Sequence, residues 1–211
     1  MGNFDDLFDL DDLMDCMLDN IKKDTKSFHD LINLDGATHR EIYIGDIEAG
    51  TGQTVDGLIR FWNSYDDTHN IPIDERKPIK IYIDSNGGCL TDTFTIIDAI
   101  EMSKTPVWTI CIGSAYSGGF FSFIAGHRRF AYPHASFLYH EGSTSTGADA
   151  GKFRNYADFY AKELEQLRDI TLRYTKITPE QYTEHQRDDW WMTSTEALEL
   201  GVCDEISTEF I

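Results

Sequence analysis

From Glu41 onward, short apolar stretches alternate with amphipathic ones. Glu41-Ile42-Tyr43-Ile44 predicts a strand, and Val55, Leu58, Ile59 and Trp62 mark one face of a helix over 54–62. The polar stretch 63–77, with Asp-Asp-Thr-His-Asn and Pro72, reads as a loop. It leads to Ile79-Lys80-Ile81-Tyr82-Ile83, a strand by its β-branched and aromatic content. Asp84-Ser85-Asn86-Gly87-Gly88 is a turn by composition, and a helix follows over 90–102. A strand over 107–113, a helix over 120–125 and a strand at Phe137-Leu138-Tyr139 continue the alternation. Strands separated by single helices predict right-handed crossovers and a largely parallel sheet covered by helices, an α/β fold.

The C-terminal part is helical. Phe153, Tyr156, Tyr160, Leu164, Leu167 and Ile170 recur at steps of three and four over 151–174, and the length predicts an element that projects or packs between subunits. Thr178-Pro179-Glu180-Gln181 combines a capping Thr, Pro at the first helical position and Gln three residues after the cap. Thr193-Ser194-Thr195-Glu196 repeats that start, and Gly201 closes the short helix.

The N-terminal segment is different in kind. Its first twenty residues hold seven Asp and neither Lys nor Arg, while Leu10, Leu13, Met14, Met17, Leu18 and Ile21 recur at helical spacing. Residues 1–36 therefore read as an acidic amphipathic extension, and 37–211 as one domain. The extension can pack on its own domain, dock on a partner or neighbouring subunit, or stay disordered. Over the whole chain 37 Asp and Glu face 18 Lys and Arg, a formal net charge of −19 that repels nucleic acid. No apolar run approaches bilayer length and the start is acidic, so a cytoplasmic protein away from the membrane is expected. Cys16, Cys89, Cys111 and Cys203 lie far apart without a C-x-x-C pair, which predicts neither a zinc cluster nor a disulfide framework. No metal or cofactor is expected.

One turn carries the chemistry. Tyr116-Ser117-Gly118-Gly119 lies between a predicted strand and a predicted helix, where a serine hydroxyl is exposed beside backbone N–H groups that lack helical partners. A plain helix start with a serine cap has the same composition. Serine-dependent peptide cleavage needs a base and an orienting acid as well; His140 after a strand and Asp189 before Trp190-Trp191 are candidates, although seven histidines compete for the first role. An α/β-hydrolase elbow would have Gly where Ala115 stands, and the order serine, acid, histidine. No G-x-x-x-x-G-K-[ST] nucleotide signature occurs.

Four blocks together resemble the proteolytic subunit of the Clp protease: 80–88, 109–119, 137–140, and 187–193 with Glu196-Ala197 and 201–204. The likeness extends over roughly 40–208. It implies a crotonase-like fold with Ser117, His140 and Asp189 as nucleophile, base and orienting acid, and the backbone N–H groups of Gly88 and Gly118 as oxyanion donors. It further implies a serine endopeptidase acting on peptides or unfolded proteins, a homo-oligomer of stacked heptameric rings, and a separate AAA+ unfoldase that supplies ATP hydrolysis. An inactive ring scaffold and a crotonase-superfamily acyl-CoA enzyme are the alternative readings. The chain departs from the family pattern at Asn86 (usually Pro), Gly118 (usually Met), Glu141-Gly142 (usually Gln-Pro) and Asp188 (usually Arg, here displaced to Arg187).

Overall fold

A computed structural model describes residues 39–145 and 147–211. The N-terminal extension and its predicted helix lie outside the described residues. Strand β1 (Glu41–Ile44) is followed by α1 (Thr51–Thr68), β2 (Ile79–Ser85), α2 (Leu90–Met102), β3 (Val107–Tyr116) and α3 (Gly118–Ile124). Two short strands, β4 (Arg128–Ala131) and β5 (Ser136–Tyr139), precede the long helix α4 (Ala150–Tyr174). Helix α5 (Pro179–His185), β6 (Trp190–Thr193), α6 (Ser194–Glu199) and β7 (Glu205–Ile206) complete the chain.

The seven strands among the described residues form one sheet in the order β1-β2-β3-β4-β7, with β5 beside β3 and β6 beside β5. Every pairing is parallel except β5 with β6. Because strand side chains alternate, the two faces carry different clusters. Ile79, Ile81 and Ile83 of β2 and Val107 and Cys111 of β3 pack with Val55, Ile59, Ile96, Ile100, Phe120 and Phe123 from the helices. On the other face Tyr82, Ile110 and Phe130 meet Tyr43, Trp108, Ile112 and Tyr132, an aromatic cluster built from strands and their ends.

Helix α1 begins earlier and ends later than the apolar stripe predicts. At its start the Asp92 carboxylate accepts from the amides of Gly50 and Gly52, at 2.9 and 2.8 Å, and so satisfies amides that a helix leaves open. At its end the helical position after Val55, Ile59 and Trp62 is Asp66, fully buried and paired with Arg40. Arg40 binds both carboxylate oxygens, Thr105 Oγ1 donates at 2.7 Å, and the guanidinium lies 4.6 Å from the Trp62 ring centroid. A buried ion pair thus replaces an apolar contact, which is why composition alone assigns 63–68 to a loop. The three strands the pattern misses, β4, β6 and β7, have two to four residues each and owe their extended form to pairing in the sheet. Both predicted capping boxes are formed, Thr178 with Gln181 and Thr193 with Glu196.

Burial by itself would raise the Asp66 carboxyl, but hydrogen bonds from Arg40 and Thr105 outweigh it and hold the group below the usual carboxylate range. A carboxyl depressed on folding stabilises the protein above its unfolded value of about 4, and this contribution is lost as pH falls through the lower folded value. Asp66→Ala should cost about 3–5 kcal/mol by leaving Arg40 buried and unpaired. Thermal unfolding across acidic pH should show a lower Tm and a shallower loss of stability below about pH 4 than in the parent.

Candidate active site

The carboxyl ends of β2, β3 and β5 converge, and three loops meet there. In open α/β sheets this is the edge where ligands bind. Register explains the meeting of Ser117 and His140. β3 pairs with β4 through 108–111 and then with β5 through 114–116, so that Tyr116 stands opposite Leu138. Ser117 is one residue past β3 and His140 one residue past β5. The Ser117 amide donates to Leu138 O at 2.9 Å. β6 returns antiparallel to β5 with Trp190 opposite Tyr139, which places Asp189 beside His140. Their closest atoms, Nδ1 and Oδ1, are 3.7 Å apart, longer than a hydrogen bond, and Asp189 is 63% exposed. Among the described residues no hydrogen bond joins Ser117 Oγ to His140. Arg187 and Asp188 are exposed and lack ion pairs among the described residues.

Ser117 is held in a conformation that a side chain rarely adopts, φ 53° and ψ −121°. It caps α3 without a side-chain hydrogen bond to that helix, which leaves its hydroxyl free for the cleft. The sharp turn is possible because its neighbours carry no side chains. A Cβ on Gly87 would stand 2.6 Å from Ser117 Cβ, and one on Gly119 would stand 2.9 Å from Ser85 Cβ.

Gly88 and Gly118 adjoin. Gly88 has φ +145° and lies flat against Ile47, whose carbonyl accepts from Cys89 N at 2.7 Å and would be 2.1 Å from a Cβ on Gly88. A Cβ on Gly118 would come within 3.4 Å of Gly88 N. Neither amide has an acceptor among the described residues, and both glycines line the cleft beside Ser117. The loop before them is pinned by carboxylates. Asp46 accepts from Asn86 N at 2.9 Å, and Asp84 accepts from Ser114 N and Oγ at 2.9 and 2.8 Å, tucked against the bare face of Gly113.

A cleft of about 550 Å³ opens over these groups, lined by Gly88, Ser117, Gly118 and Phe121, by His140 and Glu141 after β5, and by Tyr156, Phe159, Tyr160, Glu163 and Leu167 of α4. Asp189 does not line it. The Tyr160 hydroxyl donates to Glu141 O at 3.0 Å, and the hydroxyls of Thr144 and Tyr156 are hydrogen-bonded, so the segment after His140 is fastened to α4. Burial raises both the Tyr160 phenol and the Glu163 carboxyl, the former further through Tyr156, Glu141 and Glu163. Two of the cysteines are poor nucleophiles. Burial pushes the Cys111 thiol up to about 12 and the Cys203 thiol up to about 11.

The structure therefore brings Ser117, Gly88, Gly118 and His140 to one cleft and sets Asp189 behind His140. Sequence reasoning missed Gly87, whose signal was only its place in a Gly-Gly turn, and Thr93, which had none. Thr93 explains the glycine at 118. Its buried hydroxyl donates to Cys89 O at 2.9 Å and fills the space that a Cβ on Gly118 would need, 2.5 Å away. Gly118→Ala should destabilise the protein by about 1–3 kcal/mol through overpacking. In a double-mutant cycle read by denaturant unfolding, Thr93→Ala should recover part of that loss, with a coupling of at least about 0.5 kcal/mol.

Comparison with known proteins bears on the same residues. A chain named ATP-dependent Clp protease proteolytic subunit 2 from Nocardia farcinica is 32% identical over 135 residues, which cover 63% of this chain and 66% of that one. Subunit 3 from Streptomyces avermitilis is 34% identical over 135 residues, covering 63% and 62%. The chain thus spans slightly under two thirds of the length of these relatives. The family model described as Clp protease matches residues 72–210, more than half of the 211 residues, and that stretch holds Gly88, Ser117, Gly118, His140 and Asp189. This chain belongs to the Clp protease family.

Proposed function

We propose that this chain is a serine endopeptidase subunit that cleaves unfolded proteins or peptides inside an oligomeric chamber. The observation that carries the reading is Ser117, set on a strained turn with a free hydroxyl, beside two unpaired amides and in the same cleft as His140. Ser117 Oγ attacks the substrate carbonyl carbon while His140 accepts its proton. The developing oxyanion is received by the N–H groups of Gly88 and Gly118. His140 then protonates the leaving amine, water takes the amine's place, and the same base activates that water for hydrolysis of the acyl-enzyme. Asp189 orients the imidazole and stabilises its charged form. Its 3.7 Å separation and exposed position fit a contact that tightens when substrate or a neighbouring subunit covers it.

The rival acyl-CoA reading needs an oxyanion hole but no nucleophile, and so gives no reason for the strain at Ser117. Oligomerisation is supported by α4, which exposes Phe153 outside the cleft. We assign it to the contact between two stacked seven-membered rings. Residues 37–211 form the protease domain in this reading, and 1–36 an extension that restricts entry or docks a partner. A separate AAA+ unfoldase delivers substrate, and no cofactor takes part. No described helix is long and apolar enough to cross a membrane.

Ser117→Ala should abolish labelling by a fluorophosphonate probe and lower peptide turnover by about 10⁶-fold. His140→Ala should have a similar effect, and Asp189→Asn should lower kcat by roughly 10⁴-fold. Unchanged labelling of Ser117→Ala would refute the assignment of the nucleophile. Light scattering should give an assembly many times the 24.1 kDa subunit mass, and a stable monomer at micromolar concentration across buffers would count against the ring.

A further inference from the structure

Helix α4 brings to the cleft a charge that the proposed chemistry does not use. Phe159, Glu163 and Leu167 follow one another at four-residue steps along α4 and all line the cleft, so a carboxylate sits between two apolar side chains in one row. Glu163 is half-buried and has no hydrogen bond or ion pair among the described residues. Glu141 lines the same cleft, and no Lys or Arg does; His140 is the one basic side chain among the described lining residues.

We propose that Glu163 makes this cleft selective for substrates bearing a lysine or arginine side chain, a proposal that rests on the peptidase reading of Ser117. Phe159, exposed at the cleft, receives the aliphatic stem of such a side chain while the carboxylate meets its cationic end. A partly desolvated carboxylate without a partner is costly, and a substrate cation removes that cost where a neutral isostere does not. An acidic substrate side chain meets two carboxylates and is rejected. The upward displacement of the Glu163 carboxyl by burial agrees with a group short of counter-charge.

The test uses the full chain and matched peptides differing at one position, lysine against norleucine against glutamate, with that position scanned along the peptide. At one position, kcat/KM for lysine should exceed that for norleucine by roughly tenfold, the effect expected of one partly exposed charge pair. Glu163→Gln should bring that ratio close to one, and Glu163→Lys should favour glutamate. The same ratios are read as binding, by fluorescence anisotropy on Ser117→Ala protein with and without Glu163→Gln. Failure of the peptidase reading would show as absent cleavage and absent phosphonate labelling while the binding ratio still decides the role of Glu163. Equal binding of lysine and norleucine peptides at every position, a preference unchanged by Glu163→Gln, or no peptide binding at all would overturn the proposal.

Discussion

Strand β3 is longer than the strands on its far edge, and the site follows from how that edge is shared. Its ten residues face four of β4 and then three of β5, so the chain must step sideways between 131 and 136. The step is held by main-chain bonds, Tyr132 N to Cys111 O at 2.9 Å and Ala135 N to Tyr132 O at 3.0 Å. Ser194, buried at the start of α6, binds both Tyr132 O and Ala135 O from below. Were β4 simply to continue along β3, His140 would be carried past Ser117. The sidestep brings the end of β5 level with the end of β3, and β6 then delivers Asp189 by antiparallel pairing.

The strained turn at Ser117 costs on the order of 1–3 kcal/mol, and its surroundings indicate what offsets it. All seven residues of α3 are buried, and Phe120, Phe121 and Phe123 pack edge-on or tilted against Tyr139 and Phe137. Fully burying one such aromatic contributes about 1.5–3 kcal/mol relative to leaving it exposed. The helix that begins at Gly118 is therefore fixed by its aromatic contacts, β3 is fixed by its neighbours, and the residue between them has no freedom to relax.

Much of this was legible in the chain. The Ile-rich run 79–83 and the apolar strand after Val107 have local periodicity strong enough to survive any tertiary context, and the Ser-Gly-Gly turn between strand and helix located the nucleophile candidate. The two capping boxes needed only the order of side chains over four residues. Other features depended on partners far away in sequence. Asp66 looks like loop composition until Arg40 and Thr105 reach it, and Arg128-Arg129 looks unlike a strand until β3 and β7 pair with β4. Glu163 falls outside the apolar stripe of α4, and its place in the cleft depends on the segment tied to Tyr156 and Tyr160. Periodicity reports what a segment prefers, whereas these positions are decided by what meets it.

The glycines around Ser117 divide the cleft into two walls of unequal mutational tolerance. A Cβ at Gly87, Gly88, Gly118 or Gly119 would lie within 2.1 to 2.9 Å of another atom, so the reactive wall is specified by atoms it must not contain. Substitution there has few neutral steps available. On α4 and in the loop after His140, by contrast, Tyr156, Phe159 and residues 142–145 are exposed. On the proposed reading, changes in which peptides are held are therefore accommodated on one helix and one loop more readily than around Ser117.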